Sequence, residues 1–310
     1  MSTELLAPVT RATNRGRGTG LIVLASCCFG TSGPLAKPIM DAGLSPEQVA
    51  SARVGLAALV MLVLVGLTRP ALLRVDRSNW PVIVAYGLLG VAAVQLAYFV
   101  AVARIPIGVA MLLEFASPVL VALWVRFVRG TRLPGRAWLG TLLALLGLAM
   151  IAQVWQGLTF DVLGLLAGIG AAFGAASYFL LGERAVGTVE PIGLVTWGLV
   201  VGAAAIAFLV PPWTIPASVL GNPAEFGPWH PPVWLLLLAL VMISTACAYL
   251  LSISALRHLP SQVISVLALA EPIVAGAVAW AFLGQGLSVV QVAGAAVLLG
   301  GATVVQLAAG

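Results

Sequence analysis

Runs of about twenty residues with almost no charge recur along this chain, and a run of that length crosses a hydrocarbon core roughly 30 Å thick as a helix. They lie at 19–40, 46–67, 80–103, 107–128, 136–155, 161–183, 190–211, 231–256, 260–283 and 287–307, parted by short polar or Pro/Gly-marked breaks. Of the 310 residues only 8% are charged and 61% are hydrophobic, against about 25% charged in a soluble domain. So little charge cannot cover a water-soluble fold of this size. The runs are too long and too even for the alternating, roughly ten-residue strands of a membrane barrel, so helices follow. The expected fold is an all-α membrane protein of ten transmembrane helices, with the lipid bilayer as its solvent.

The remaining charges sort by loop. Arg11, Arg15 and Arg17 precede the first run, and Arg69, Arg74 and Arg77 separate the second and third. Arg126, Arg129, Arg132 and Arg136 border the loop after the fourth, while Arg184 and Arg257 follow the sixth and eighth. A chain that crosses at every run puts all of these on one side, and Asp41, Glu47, Asp161, Glu225 and the single Arg104 on the other. Basic residues accumulate on the cytoplasmic side, so both termini are expected there. The first run is longer than the core of a secretory signal and nine similar runs follow, so it is expected to remain as a helix. The net charge of +5 is scattered over short loops without interleaved aromatics, which argues against nucleic acid as a partner. Trp213 and Trp229, in the longest loop (212–230), suit anchoring at the membrane interface. Cys27, Cys28 and Cys247 lie inside runs, without a paired-Cys or Cys/His motif. Buried packing is the expectation for them, and neither a metal nor another cofactor is implied.

The two halves of the chain echo each other in order. Gly20-Leu21 and Phe29-Gly30 of the first run match Gly164-Leu165 and Phe173-Gly174 of the sixth, and Ala97-Tyr98 of the third matches Ala248-Tyr249 of the eighth. Pro106 and Pro118 around the fourth return as Pro260 and Pro272 around the ninth, with Leu139-Gly140 and Ala293-Gly294 on that same offset. A unit of five helices is odd-numbered, so matched helices cross in opposite directions. Two inverted five-helix repeats are the architecture of many secondary transporters, whose substrate site lies near the midplane between the repeats. The repeats are placed at 19–155 and 161–307, after a tail at 1–18. No Gly-rich loop followed by Lys-Ser/Thr is present, which removes the usual phosphate cradle of an ATP-driven pump.

Over residues 19–307 the chain resembles the drug/metabolite transporter superfamily, in particular its ten-helix EamA-type members. Ser117-Pro118, Glu271-Pro272 and the Gly-Leu-Ser-Val-Val-Gln-Val-Ala-Gly run at 286–294, ahead of a small-residue final helix, carry the resemblance. Two places depart from it: Gly284-Gln285 stands where the family often has Gly-Glu, and Arg129-Gly130-Thr131-Arg132 stands at the equivalent place after the fourth run. Among branches, the chain is similar to bacterial exporters of aromatic amino acids and related metabolites. The resemblance implies a multi-pass protein of the bacterial inner membrane, monomeric or weakly homo-oligomeric. It would export small metabolites, amino acids first (aromatic or other neutral), by alternating access. Export of drug-like organic cations or of another metabolite is the alternative.

An ionisable residue inside a span costs about 2.5–3.5 kcal/mol on insertion scales and usually has a function. Four stand out: Lys37, Arg53, Glu114 and Glu271. Glu271 is near the midplane of its run and directly precedes Pro272, and a proline frees a helix carbonyl. It binds a substrate amine or carries a proton, or else it is a paired carboxyl at a kink; Pro118 marks the matching kink in the fourth run. Arg53 and Glu114 share a depth of roughly 10 Å from the same ends of their runs, so an ion pair or gate, joined by Lys37, is expected. For an amino acid, Arg53 would meet the carboxylate and a glutamate the amine. Phe29, Ser32, Gln95, Tyr98, Phe115, Ser117, Tyr178, Ser244, Tyr249 and Ser265 are the candidate lining residues, with the repeat-related Tyr98 and Tyr249 foremost. Gly164, Gly168, Gly170 and Gly174 have no preceding strand and read as helix packing. Gly30-Thr31-Ser32-Gly33 resembles the Gly-x-Ser-Gly of intramembrane rhomboid proteases, but a serine nucleophile needs a base in reach. His230 lies in a loop and His258 sits ~18 Å too shallow by helical rise, so the protease reading is remote.

Overall fold

The structure is a computed structural model describing residues 14–155, 161–284, 286 and 288–308. Arg11, Gln285 and most of the 1–18 tail lie outside the described residues. Among the described residues ten helices are long and apolar enough to cross a membrane: α1 (Arg15–Asp41), α2 (Pro46–Thr68), α3 (Arg77–Val102), α4 (Gly108–Phe127), α5 (Gly135–Ala152), α6 (Val162–Ala185), α7 (Pro191–Leu209), α8 (Val233–Ala255), α9 (Ser261–Phe282) and α10 (Val289–Ala308). Each matches its apolar run within a few residues. α1 starts earlier than hydropathy suggests because the Asn14 side chain caps it, accepting from the Arg17 amide at 3.0 Å. α2 opens on a reciprocal cap between Ser45 and Gln48, and Asp161 caps α6 through the Gly164 amide at 2.6 Å. The side bearing the starts of α1, α3, α5, α7 and α9 is called the N-side below; the other is the far side.

Five of the ten helices are irregular near mid-span. α1 breaks at Thr31, between Arg15–Gly30 and Ser32–Asp41. Pro34 explains the break: it has no N–H to give the Gly30 carbonyl, and its ring pushes that carbonyl aside. α6, the counterpart of α1, contains no proline and runs unbroken. α3 widens into π-helical turns over Tyr86–Ala93, and its counterpart α8 does so over Met242–Cys247. α4 is interrupted at Phe115 and Ala116, just before Ser117-Pro118. α9 tightens into a 3-10 turn over Ala268–Ala270, just before Glu271-Pro272.

The inverted symmetry is visible where α5 meets α10. A side chain at Gly140 would lie 2.7 Å from the Gly301 carbonyl oxygen, and one at Gly294 would lie 2.8 Å from that of Gly147. Gly140 and Gly147 are related to Gly294 and Gly301 by the same offset that relates the prolines, so each half supplies the same pair to one antiparallel seam. Close backbone approach of this kind replaces the hydrophobic drive that helices lack in lipid.

α4 and α9 pack differently on the two sides. Their N-side halves, Ser117–Phe127 and Ser261–Leu267, lie against each other and against α6. Their far halves diverge: Ile107–Glu114 rests on α5 and α6, and Glu271–Leu283 rests on both halves of α1. The far-side loop holds the end of α9, with Phe226 stacked on Phe282 at 5.4 Å and Trp229 on the same ring at 6.0 Å. Trp213 projects outward, 82% exposed. One expectation is corrected: Cys27 and Cys247 are exposed and Cys28 is half-buried, with Cys28 and Cys247 neighbours across α1 and α8 at the surface.

Candidate functional site

The breaks in α1 and α9 meet directly, and the α4 break brings Glu114 within electrostatic reach of them. A side chain at Gly30 would strike the Glu271 carbonyl oxygen at 2.8 Å and Val274 Cβ at 2.7 Å. Only glycine lets α1 pass this close over the α9 kink. One residue on, the Thr31 hydroxyl donates to the Cys28 carbonyl at 2.7 Å and lies 2.7 Å from the Ser244 hydroxyl. A hydroxyl has a single proton to give, so Ser244 donates to Thr31. The π-turn of α8 is thereby tied to the break in α1.

Around this crossing the structure gathers charge. Glu114 and Glu271, from the two kinked helices, are within each other's electrostatic reach, and both feel Arg53 of α2. Tyr98 lies close to both carboxylates. Tyr249 adjoins Gln95 and is also within reach of Arg53, Glu114 and Glu271. Arg53, Gln95, Tyr98, Glu114 and Glu271 all remain partly accessible despite their depth.

Arg53 is held from one side only. Its Nη1 donates to the Ser32 hydroxyl at 2.6 Å, while its Nε is buried without a partner. The expected Arg53–Glu114 ion pair is absent at contact distance: among the described residues no carboxylate lies within 4.0 Å of Arg53. Lys37 does not join the group either. It pairs with Asp41 one helical turn on, at 2.9 Å and exposed at the far side, where an i,i+4 partner and water are both nearer than the cluster. The Ser32 hydroxyl, weighed above as a nucleophile, is engaged by a guanidinium and not by an imidazole.

On the N-side of the charges lies an aromatic layer. Phe29 meets Tyr249 edge-on at 5.3 Å, Tyr249 meets Tyr178 at 5.5 Å, and Tyr178 meets Tyr86 at 5.5 Å. These rings join α1, α8, α6 and α3. The Tyr86 and Tyr178 hydroxyls are buried and make no hydrogen bond of good geometry, so the layer is polar at its centre yet unsatisfied. Ser117 is buried beside Pro118, Phe115 sits at the α4 break, and Ser265 spends its hydroxyl on the Gln262 carbonyl at 3.0 Å. These three contribute packing or local bonds rather than a shared cluster.

Two parts of the site escaped the sequence. Tyr86 is fully buried at the heart of the aromatic layer, but a tyrosine early in an apolar run carries no signal that singles it out. Glu183, 7% exposed near the N-side end of α6, has no sequence signal that sets it apart from any charge at a helix end. Its carboxylate instead accepts from Arg129 Nη1 at 2.5 Å, from the Ser261 hydroxyl at 2.9 Å and from the Ser261 amide at 3.3 Å.

Comparisons with known proteins agree with this architecture. The EamA-like transporter family matches residues 16–153 and 162–307. The threonine/homoserine exporter RhtA of Escherichia coli (strain K12) is 30% identical over 236 residues, covering 76% of this chain and 74% of the exporter; its Salmonella typhimurium counterpart aligns to the same extent. YwfM, an uncharacterized transporter of Bacillus subtilis (strain 168), is 25% identical and covers 93% of each chain. One crystal structure, 22% identical, shares the fold with a TM-score of 0.75 over 96% of this chain and 98% of its own. The family model matching both halves, with relatives 30% identical over about three quarters of each chain, identifies the chain as a member of the EamA-like transporter family, within the drug/metabolite transporter superfamily.

Proposed function

We propose that this protein exports a zwitterionic amino acid across the bacterial inner membrane by alternating access, with both termini in the cytoplasm. One observation carries the reading: a guanidinium with an unspent buried donor lies within electrostatic reach, though not in contact, of two carboxylates near the crossing of α1 and α9. A buried donor left unpaired is costly, and a substrate carboxylate would satisfy Arg53 Nε. Two carboxylates against one guanidinium leave one negative charge over; a zwitterion pairs its ammonium with one carboxylate but carries no net charge, so a proton on a glutamate would neutralise the remainder. Glu271 is the assigned partner of the ammonium, since it sits at the α9 kink beneath Gly30. Tyr98, Tyr249, Gln95 and Ser244 would complete the binding surface, with Phe29 and Tyr178 as its aromatic floor.

Threonine and homoserine are the first substrates to test, because they are the named cargo of the 30% identical exporters; aromatic amino acids come next. The orientation rests on the basic helix ends, with Arg69, Arg74, Arg77, Arg129, Arg132, Arg136, Arg184 and Arg257 on the N-side and positive charge favouring the cytoplasm. The test is flux of labelled threonine, homoserine and phenylalanine in proteoliposomes, with and without a pH gradient. Saturable flux of at least one is expected. No flux of any amino acid, with flux of an organic cation instead, would overturn the reading in favour of cation export.

A further inference from the structure

We propose that Glu183 is the gating residue of the N-side: with Arg129 and Ser261 it forms a latch that holds the site closed to that side and open to the other. The inference rests on the alternating-access reading above but goes beyond it, because it concerns no residue of the substrate cluster. Glu183 belongs to α6, Arg129 follows the last turn of α4, and Ser261 is the first residue of α9. The carboxylate therefore ties together the N-side ends of the two kinked helices that carry Glu114 and Glu271. Those are the halves that pack against each other, while the far halves diverge around the cluster.

The latch has no mirror image. On the offsets that relate the two halves, the counterparts of Glu183, Arg129 and Ser261 are Ile39, Leu283 and Ile107. A transporter built from inverted repeats reaches its second state by exchanging the conformations of its halves. A charged latch on one side and apolar residues at the equivalent places on the other make the two states unequal in energy. The carboxylate is nearly buried and takes at least three hydrogen bonds from Arg129 and Ser261, so opening the N-side must break these contacts and expose it to water. Such a bistable contact biases the population without touching the ligand.

The experiment reads accessibility and needs no substrate. In a background without Cys27, Cys28 and Cys247, one reporter is Ser265→Cys, which is 1% exposed and one turn inside the latch. The second is Gln95→Cys in the partly open cluster. Each is labelled with a polar maleimide in nanodiscs. Glu183→Gln is expected to raise labelling at position 265 about tenfold and to lower it at position 95 at least about twofold, as a population shift demands. Arg129→Gln should move both reporters in the same directions and serves where Glu183→Gln fails to fold. Unchanged labelling at position 265 overturns the latch, and so does a rise at both positions, which would mean general loosening. Flux of amino acids is measured separately, so failure of the latch and failure of the cargo assignment are told apart.

Discussion

Arg53 of α2 donates a 2.6 Å hydrogen bond from Nη1 to the hydroxyl of Ser32, just past the break in α1, and keeps its Nε buried and unpaired. The contact fixes the guanidinium plane and leaves its Nε edge unpaired for a second planar acceptor once the site opens to it. Charge alone would not achieve this; lysine offers a point charge without the fork. Arg53→Lys is therefore expected to lower substrate flux by about tenfold, and Ser32→Ala by about two- to fivefold, in line with the net worth of a typical intramolecular hydrogen bond. Proteoliposome flux at matched protein content checks both. Equal flux in Arg53→Lys would show that only the positive charge is used.

Glu271 sits where α1 crosses the α9 kink, within electrostatic reach of a second carboxylate, Glu114. Glu271→Gln keeps the shape and removes the charge. Export should fall by about tenfold or more, and whatever dependence on pH the wild type shows should flatten. Initial rates across a pH series measure both. A variant with wild-type rates and a wild-type profile would remove Glu271 from the mechanism.

The aromatic layer predicts a split between two substitutions at one position. Tyr249 touches Phe29 and Tyr178 edge-on, each contact being worth about 0.5–1.5 kcal/mol beyond burial. Tyr249→Phe keeps both ring contacts and should retain flux within about threefold. Tyr249→Ala removes the floor beneath the charges, and leak of substrate down its gradient, without saturation, is the expected result. Concentration dependence of flux distinguishes the two outcomes.

At the α5–α10 seam any added side chain meets backbone. A Cβ at Gly294 would lie 2.8 Å from the Gly147 carbonyl oxygen and 3.0 Å from the Ile151 amide nitrogen. Gly294→Leu should cost about 1–3 kcal/mol as overpacking, lowering the thermal transition in detergent, whereas Gly300→Leu, where nothing lies within 4 Å, should leave it unchanged. Tryptophan fluorescence on heating gives the comparison.

Whether a segment crosses a membrane is decided by roughly twenty consecutive residues and the solvent around them, so the ten spans were legible in hydropathy alone. The inverted pairing of the halves was legible for a similar reason: Pro118 and Pro272, or Gly140 and Gly294, act on their own helix and their nearest neighbour, and so recur in order. The four charges within the runs were legible too, because charge in an apolar run stands out. Which of them meet was not. Lys37 had a partner one turn away, Arg53 turned to Ser32, and Glu183 gathered Arg129 and Ser261 from two other helices. Such contacts depend on how far each helix kinks and rotates against its neighbours, a property of the packed bundle that no single span contains. The apolar runs made this chain a membrane protein, and the crossing of its broken helices decided where its charge is gathered and which side is latched.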